Sequence, residues 1–81
     1  MGAIASFQAD PQLPNRVYSL DYDVRVSDDG GQTFNALIPG YLIHGDYHAM
    51  WIDPGNPDLI YLGNDGGVAV SRDRGRTAVK R

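Results

Sequence analysis

Ser27-Asp28-Asp29-Gly30-Gly31-Gln32-Thr33-Phe34 and Ser71-Arg72-Asp73-Arg74-Gly75-Arg76-Thr77-Ala78 are two copies of one phrase, Ser-x-Asp-x-Gly-x-Thr, set 44 positions apart. Val24-Arg25-Val26 leads into the first and Val68-Ala69-Val70 into the second. Further upstream, the stretch from Asp10 to Tyr18 lies over the stretch from Asp53 to Tyr61 at an offset of 43, so one residue is inserted between the two aligned blocks. The chain is therefore a tandem repeat, with units at 1–43 and 44–81, the second ending in a basic tail.

A period in the low forties is the length of a four-stranded propeller blade. The apolar clusters of the second unit are Ala49 to Ile52, Leu59 to Leu62, Val68 to Val70 and a short terminal piece, each bounded by Gly, Pro, Asp or Asn. Asp53-Pro54-Gly55-Asn56-Pro57 forms a corner, because each proline presets φ and bars its predecessor from a helix. Asn64-Asp65-Gly66-Gly67 supplies a tight hairpin from residues that tolerate positive φ. The matching Leu20-Asp21-Tyr22-Asp23 has no glycine. Tyr18, Leu20, Tyr22, Val24 and Val26 alternate with polar residues there, so an unbroken strand competes with the hairpin that the repeat predicts. The expected fold is all-β, two four-stranded propeller-type blades, with the second cut short after Arg81.

Composition agrees. Among 81 residues there are ten Gly, five Pro, ten acidic residues that are all Asp, and one Lys, a vocabulary of turns and strands and not of helical surfaces. A chain this short removes only about 60% of its unfolded surface from water, and with no cysteine it has no disulfide to compensate. Association with other chains is the expected remedy. Two blades leave sheet faces that a closed ring would bury, so a homo-oligomer completing such a ring is anticipated. The net charge of −3 argues against nucleic acid as a partner, and no stretch nears the ~20 apolar residues of a membrane span. Met1 to Ser6 lacks the basic start of an export signal, and its fit to the short M-G-x-x-x-S acylation pattern is expected of chance. Charge is unevenly placed: residues 72–81 carry a net +4 on a body of −7. This polarity suits a solvated tail, or a tail that finds another chain's acidic body.

The repeated phrase resembles the BNR or Asp-box repeat, S-x-D-x-G-x-T-W/F, of propeller blades in sialidases, sortilin-type receptors and xyloglucanase-type glycoside hydrolases. That resemblance implies a structural box of Ser27, Asp29, Gly31, Thr33 and Phe34 in one copy and Ser71, Asp73, Gly75 and Thr77 in the other, remote from chemistry. A calcium site at Asp28 and Asp29 is the rival, although the EF-hand spacing and its closing Glu are missing. With His44 to Pro54 and Leu59 to Gly67, the chain is similar from about Ser6 to Thr77 to large bacterial BNR-repeat proteins commonly named glycosyl hydrolases or sortilin-like. Those carry six to ten or more blades, and the final box here ends Thr77-Ala78 in place of Thr-Trp, so the chain reads as a fragment.

His44, Asp46 and His48 alternate, and on an extended segment their side chains share one face, where two imidazoles and a carboxylate can hold zinc, manganese or iron. Alternatively the histidines hydrogen-bond a neighbouring strand with Asp46 orienting them. Trp51 is expected in the core and Met50 on a stacking surface, with sugar stacking on Tyr47 or Trp51, beside Asn64, as the other option. The xyloglucanase resemblance implies a catalytic role for Asp65 in Tyr61-Leu62-Gly63-Asn64-Asp65-Gly66-Gly67. Glycoside hydrolysis needs a second carboxylate, for which Asp46 and Asp53 are the nearby choices, with His48 assisting. Against this stands the reading of Asp65 as a turn residue bonding backbone amides. A hydrolytic module completed by other chains and a non-catalytic binding scaffold thus both remain open.

Overall fold

The computed structural model describes residues 6–38, 47–64 and 67–81, and among these the chain is all-β, two four-stranded antiparallel sheets. The first holds β1 (Ser6–Ala9), β2 (Val17–Leu20), β3 (Val24–Ser27) and β4 (Asn35–Ile38) in that order. The second holds β5 (Ala49–Ile52), β6 (Ile60–Asn64), β7 (Gly67–Ser71) and β8 (Val79–Lys80). Each strand pairs with its sequence neighbour, and β8 has two residues where β4 has four.

Between Tyr18 and Val26 the chain makes a hairpin and not one strand. Leu20 pairs with Val24, and the Asp21 amide donates to the Asp23 carbonyl at 3.1 Å. Aspartate suits such a turn without glycine because its short polar side chain tolerates turn geometry.

The two units repeat bond by bond in the connections as well. Asp10 N donates to Arg16 O at 2.9 Å, and Asp53 N to Leu59 O at 3.1 Å. Arg16 N donates to Leu13 O at 3.0 Å, and Leu59 N to Asn56 O at 2.9 Å. Gly30 N donates to Asn15 O, and Arg74 N to Asp58 O, both at 3.0 Å.

Register fixes which side chains share a face, since residues opposite one another project alike and successive ones alternate. In the first sheet Tyr18, Leu20, Val24, Val26 and Ile38 share one face. They meet Ile52, Ile60, Leu62 and Ala69 from the second sheet, together with Tyr47, in a single buried cluster. A bulge after Val24 leaves Leu37 as the extra residue of β4 and aims it at the second sheet's turn. A Cβ built on Gly75 would lie 2.7 Å from the Leu37 Cδ2 atom.

This contact separates Gly75 from Gly30, which is not its repeat counterpart (that is Gly31) but shares its left-handed backbone. Gly30 and Gly75 both have positive φ, at 75° and 90°, but a Cβ on Gly30 meets nothing within 4 Å. Gly30→Ala is expected to cost only the left-handed backbone penalty of about 1–2 kcal/mol. Gly75→Ala adds the displacement of Leu37, roughly a further 1 kcal/mol or more. Urea denaturation of both variants, followed by far-UV circular dichroism, checks the order.

Candidate functional site

The two boxes are built alike. In the first, the wholly buried Ser27 hydroxyl donates to Asp29 Oδ1 at 2.7 Å and accepts the amides of Gly31, at 2.8 Å, and Asp29, at 3.3 Å. Asp29 Oδ1 also accepts the amides of Gln32 and Thr33, and its Oδ2 accepts the Thr33 hydroxyl. In the second, Ser71 donates to Asp73 and accepts the amides of Gly75 and Asp73, while Asp73 accepts the amide and hydroxyl of Thr77. The Thr33 hydroxyl, then Ser27, hold the Asp29 carboxyl far below the usual carboxylate range. The Thr77 hydroxyl and amide lower the Asp73 carboxyl as well. With these oxygens spent on the turn, and Asp28 ion-paired to Arg16 at 2.9 Å, the arrangement is a hairpin lock. Phe34 lies with its ring 6.1 Å from that of Phe7 on β1, and at its counterpart Ala78 packs against the core.

A second polar group joins the sheets. The Asp10 side chain is fully buried, accepts the Gln12 and Leu13 amides on Oδ1 and receives Arg74 Nε on Oδ2 at 3.0 Å. Burial pushes the Asp10 carboxyl up, but those two amides and the Arg74 guanidinium outweigh it and hold it below its ordinary value. Arg74 sits in the left-handed conformation, φ 61°, at the position Gly30 occupies in the first box. Its carbonyl accepts Arg16 Nη2 at 3.2 Å, and Arg16 Nε donates to the Tyr18 hydroxyl at 2.9 Å. Part of the basic tail thus engages the acidic body within one chain. The sequence carried a signal for this clip, an Asp at corresponding places of both units and an Arg inside one box, but nothing in a single unit shows that the two meet.

The outer face of the second sheet is apolar and open around Val70, which is itself buried. Trp51, Tyr61, Val70 and Val79 stand in one row, with Ala49, Gly63 and Val68 in the next. Trp51 is 53% exposed and Val79 65%, and the Trp51 and Tyr61 rings lie 5.8 Å apart. A trough of about 250 Å³ runs over Trp51, Tyr61, Gly63 and Val68. The expected placement of Trp51 in the core and Met50 on the surface is thereby reversed. Period-two alternation sets Met50 and Ile52 inward, Met50 packing against the core, and Ala49 and Trp51 outward.

Of the other candidate residues, Tyr47 has its ring buried in the core, so the exposed aromatic of the pair is Trp51. Burial, with the Asp23 charge adding, pushes the Tyr47 hydroxyl up. Its amide donates to Asp21 O at 2.7 Å, tying the second unit to the first hairpin. His48 is exposed, and its amide donates to Gly63 O. Asn64 ends β6 opposite Gly67. His44, Asp46 and Asp65 lie outside the described residues, so the metal triad and the carboxylate pair are not described as sets. A larger cavity, about 440 Å³, lies beside Leu13, Arg16, Asp58, Arg72, Asp73, Arg74 and Arg76. Its four arginines are offset by Asp58 and Asp73 on its wall and by Asp10 and Asp28 on Arg74 and Arg16. No known family model matches this chain, and a search of curated proteins finds no relative.

Asp10, Asp29 and Asp73 all titrate lower folded than in an unfolded chain, where a carboxyl sits near ~3.9. Their contribution is complete above that value and is lost as pH falls through the folded ones, because unfolding then takes up protons. Urea midpoints are expected to be flat from pH 7 to 5 and to drop steeply below about pH 4. Asp29→Asn is expected to lower the midpoint at pH 7 and flatten the acid limb. Asp10→Ala, which leaves two amides unpaired and Arg74 with the looser 3.8 Å contact to Asp58, is expected to cost about 1.5–3 kcal/mol at pH 7.

Proposed function

We propose that this chain is a non-catalytic stacking scaffold, a pair of propeller-type blades whose second sheet takes a further four-stranded sheet on its open face. What carries the reading is a pair of matched positions. Tyr18 and Val24 of the first sheet are wholly buried beneath the second, whereas their repeat counterparts Tyr61 and Val68 are 39% and 44% exposed. One face, written twice, is covered once. Contiguous exposed apolar surface of this kind marks an interaction site, and the covering it already has in the first sheet says what shape fits. Asp65 and Asp46 lie outside the described residues, so the scaffold reading rests on the open face alone.

The Trp51 and Tyr61 rings also support a second reading, a carbohydrate platform, since aromatic faces suit the apolar side of a pyranose. One set of variants separates the two. Under stacking, sedimentation equilibrium at tens to hundreds of micromolar is expected to show weak self-association, the first sheet of one copy serving as a poor cover for the second sheet of another. Trp51→Asp with Tyr61→Ser is expected to abolish it while the circular dichroism spectrum persists. A strictly monomeric parent whose Trp51 emission responds saturably to neutral oligosaccharides overturns stacking in favour of the carbohydrate reading.

A further inference from the structure

We infer that the open face selects its partner through Asp53, and that the partner is a sheet whose own Ser-x-Asp-x-Gly-x-Thr turn carries an arginine in the left-handed position, not a second copy of this chain. The inference rests on the stacking reading above and adds the rule of choice.

At the existing seam the rule can be read in full. Asp10 uses one carboxylate oxygen to brace its own corner and the other to receive Arg74 from the neighbouring sheet's turn. Asp53 is the repeat counterpart of Asp10 and braces its corner with the first of the two equivalent bonds, its Oδ1 accepting the Gly55 amide at 2.9 Å. Its Oδ2 receives nothing from the described residues. It is half-buried where Asp10 is buried, at the matching corner of the sheet whose face is open. A sheet laid on that face as the second lies on the first brings the third residue after its turn serine to Asp53. Arginine there forms a charge-assisted hydrogen bond, stronger than a neutral one.

In a head-to-tail second copy the residue brought to Asp53 is Gly30, which has no side chain to offer. Two further contacts lapse with it. Arg16, which ties Tyr18 to the Arg74 carbonyl, has Leu59 as its counterpart, and Leu37, which packs on Gly75, has Arg81. The apolar face admits many sheets, while the corner at Asp53 distinguishes among them, as electrostatic matching does at interfaces generally.

The missing partner can be imitated in the chain itself. Gly30→Arg places a guanidinium where the repeat places Arg74, on a backbone already at φ 75° with open space around it. Sedimentation equilibrium of this variant is expected to show head-to-tail association about tenfold or more tighter than the parent. Asp53→Asn in the same chain, which keeps an acceptor for the Gly55 amide, is expected to return it to the parent level. Gly30→Ala carries the backbone cost without the charge and is expected to associate as the parent does, with circular dichroism showing all variants folded. If Trp51→Asp with Tyr61→Ser abolishes association but Gly30→Arg gives no gain, or a gain that survives Asp53→Asn, the inference falls and stacking stands. If the aromatic variants have no effect on either background, stacking itself falls.

Discussion

An antiparallel sheet with apolar side chains on both faces needs a cover on each, and the second sheet here has one. Its inner face, with Ile52, Ile60, Leu62 and Ala69, closes on the first sheet. Its outer face, with Trp51, Tyr61, Val68 and Val79, is left to water. The rest of the structure follows from that asymmetry. Tyr18 is dry and Tyr61 is wet although the two stand at matching places in β2 and β6, so environment and not residue type sets their difference. In so small a domain a single seam is most of the available core.

The polar groups keep that seam in register. Apolar packing alone tolerates sliding and substitution, whereas Asp10 and Arg74 meet at one offset only, with the Arg16 guanidinium bridging the Tyr18 hydroxyl, Asp28 and the Arg74 carbonyl beside them. The buried Ser27 and Ser71 hydroxyls do the same within each turn, donating once and accepting twice. The boxes therefore present the residue between Asp and Gly in a fixed left-handed pose, and that pose carries Arg74 to the neighbouring sheet.

Much of this is legible in the sequence because it is local. The repeat of Ser-x-Asp-x-Gly-x-Thr, the proline corner after Asp53 and the alternation in each short strand are decided by neighbours within a few residues, so the strands and the box contacts can be read from them. The hairpin at Asp21 to Asp23 needed the second unit to reveal it, since alternation there runs on unbroken from Tyr18 to Val26. Trp51 shows where local reading ends. Its size suggests burial, but the phase of β5 is set by Ile52, and only the placement of the first sheet determines which phase is inside. The clip between Asp10 and Arg74 spans 64 positions and leaves no local pattern.

The pairing order has a kinetic consequence. Every strand in both sheets bonds to the strand next to it in sequence, so each meander closes only short loops and its contacts form at small entropic cost. The long-range contacts belong to the seam, between Asp10 and Arg74, Tyr47 and Asp21, Leu37 and Gly75. Topology thus predicts that strand pairing within each sheet precedes docking at the seam. In that order, changes at the seam are expected to act on the docking step more than on the hairpins.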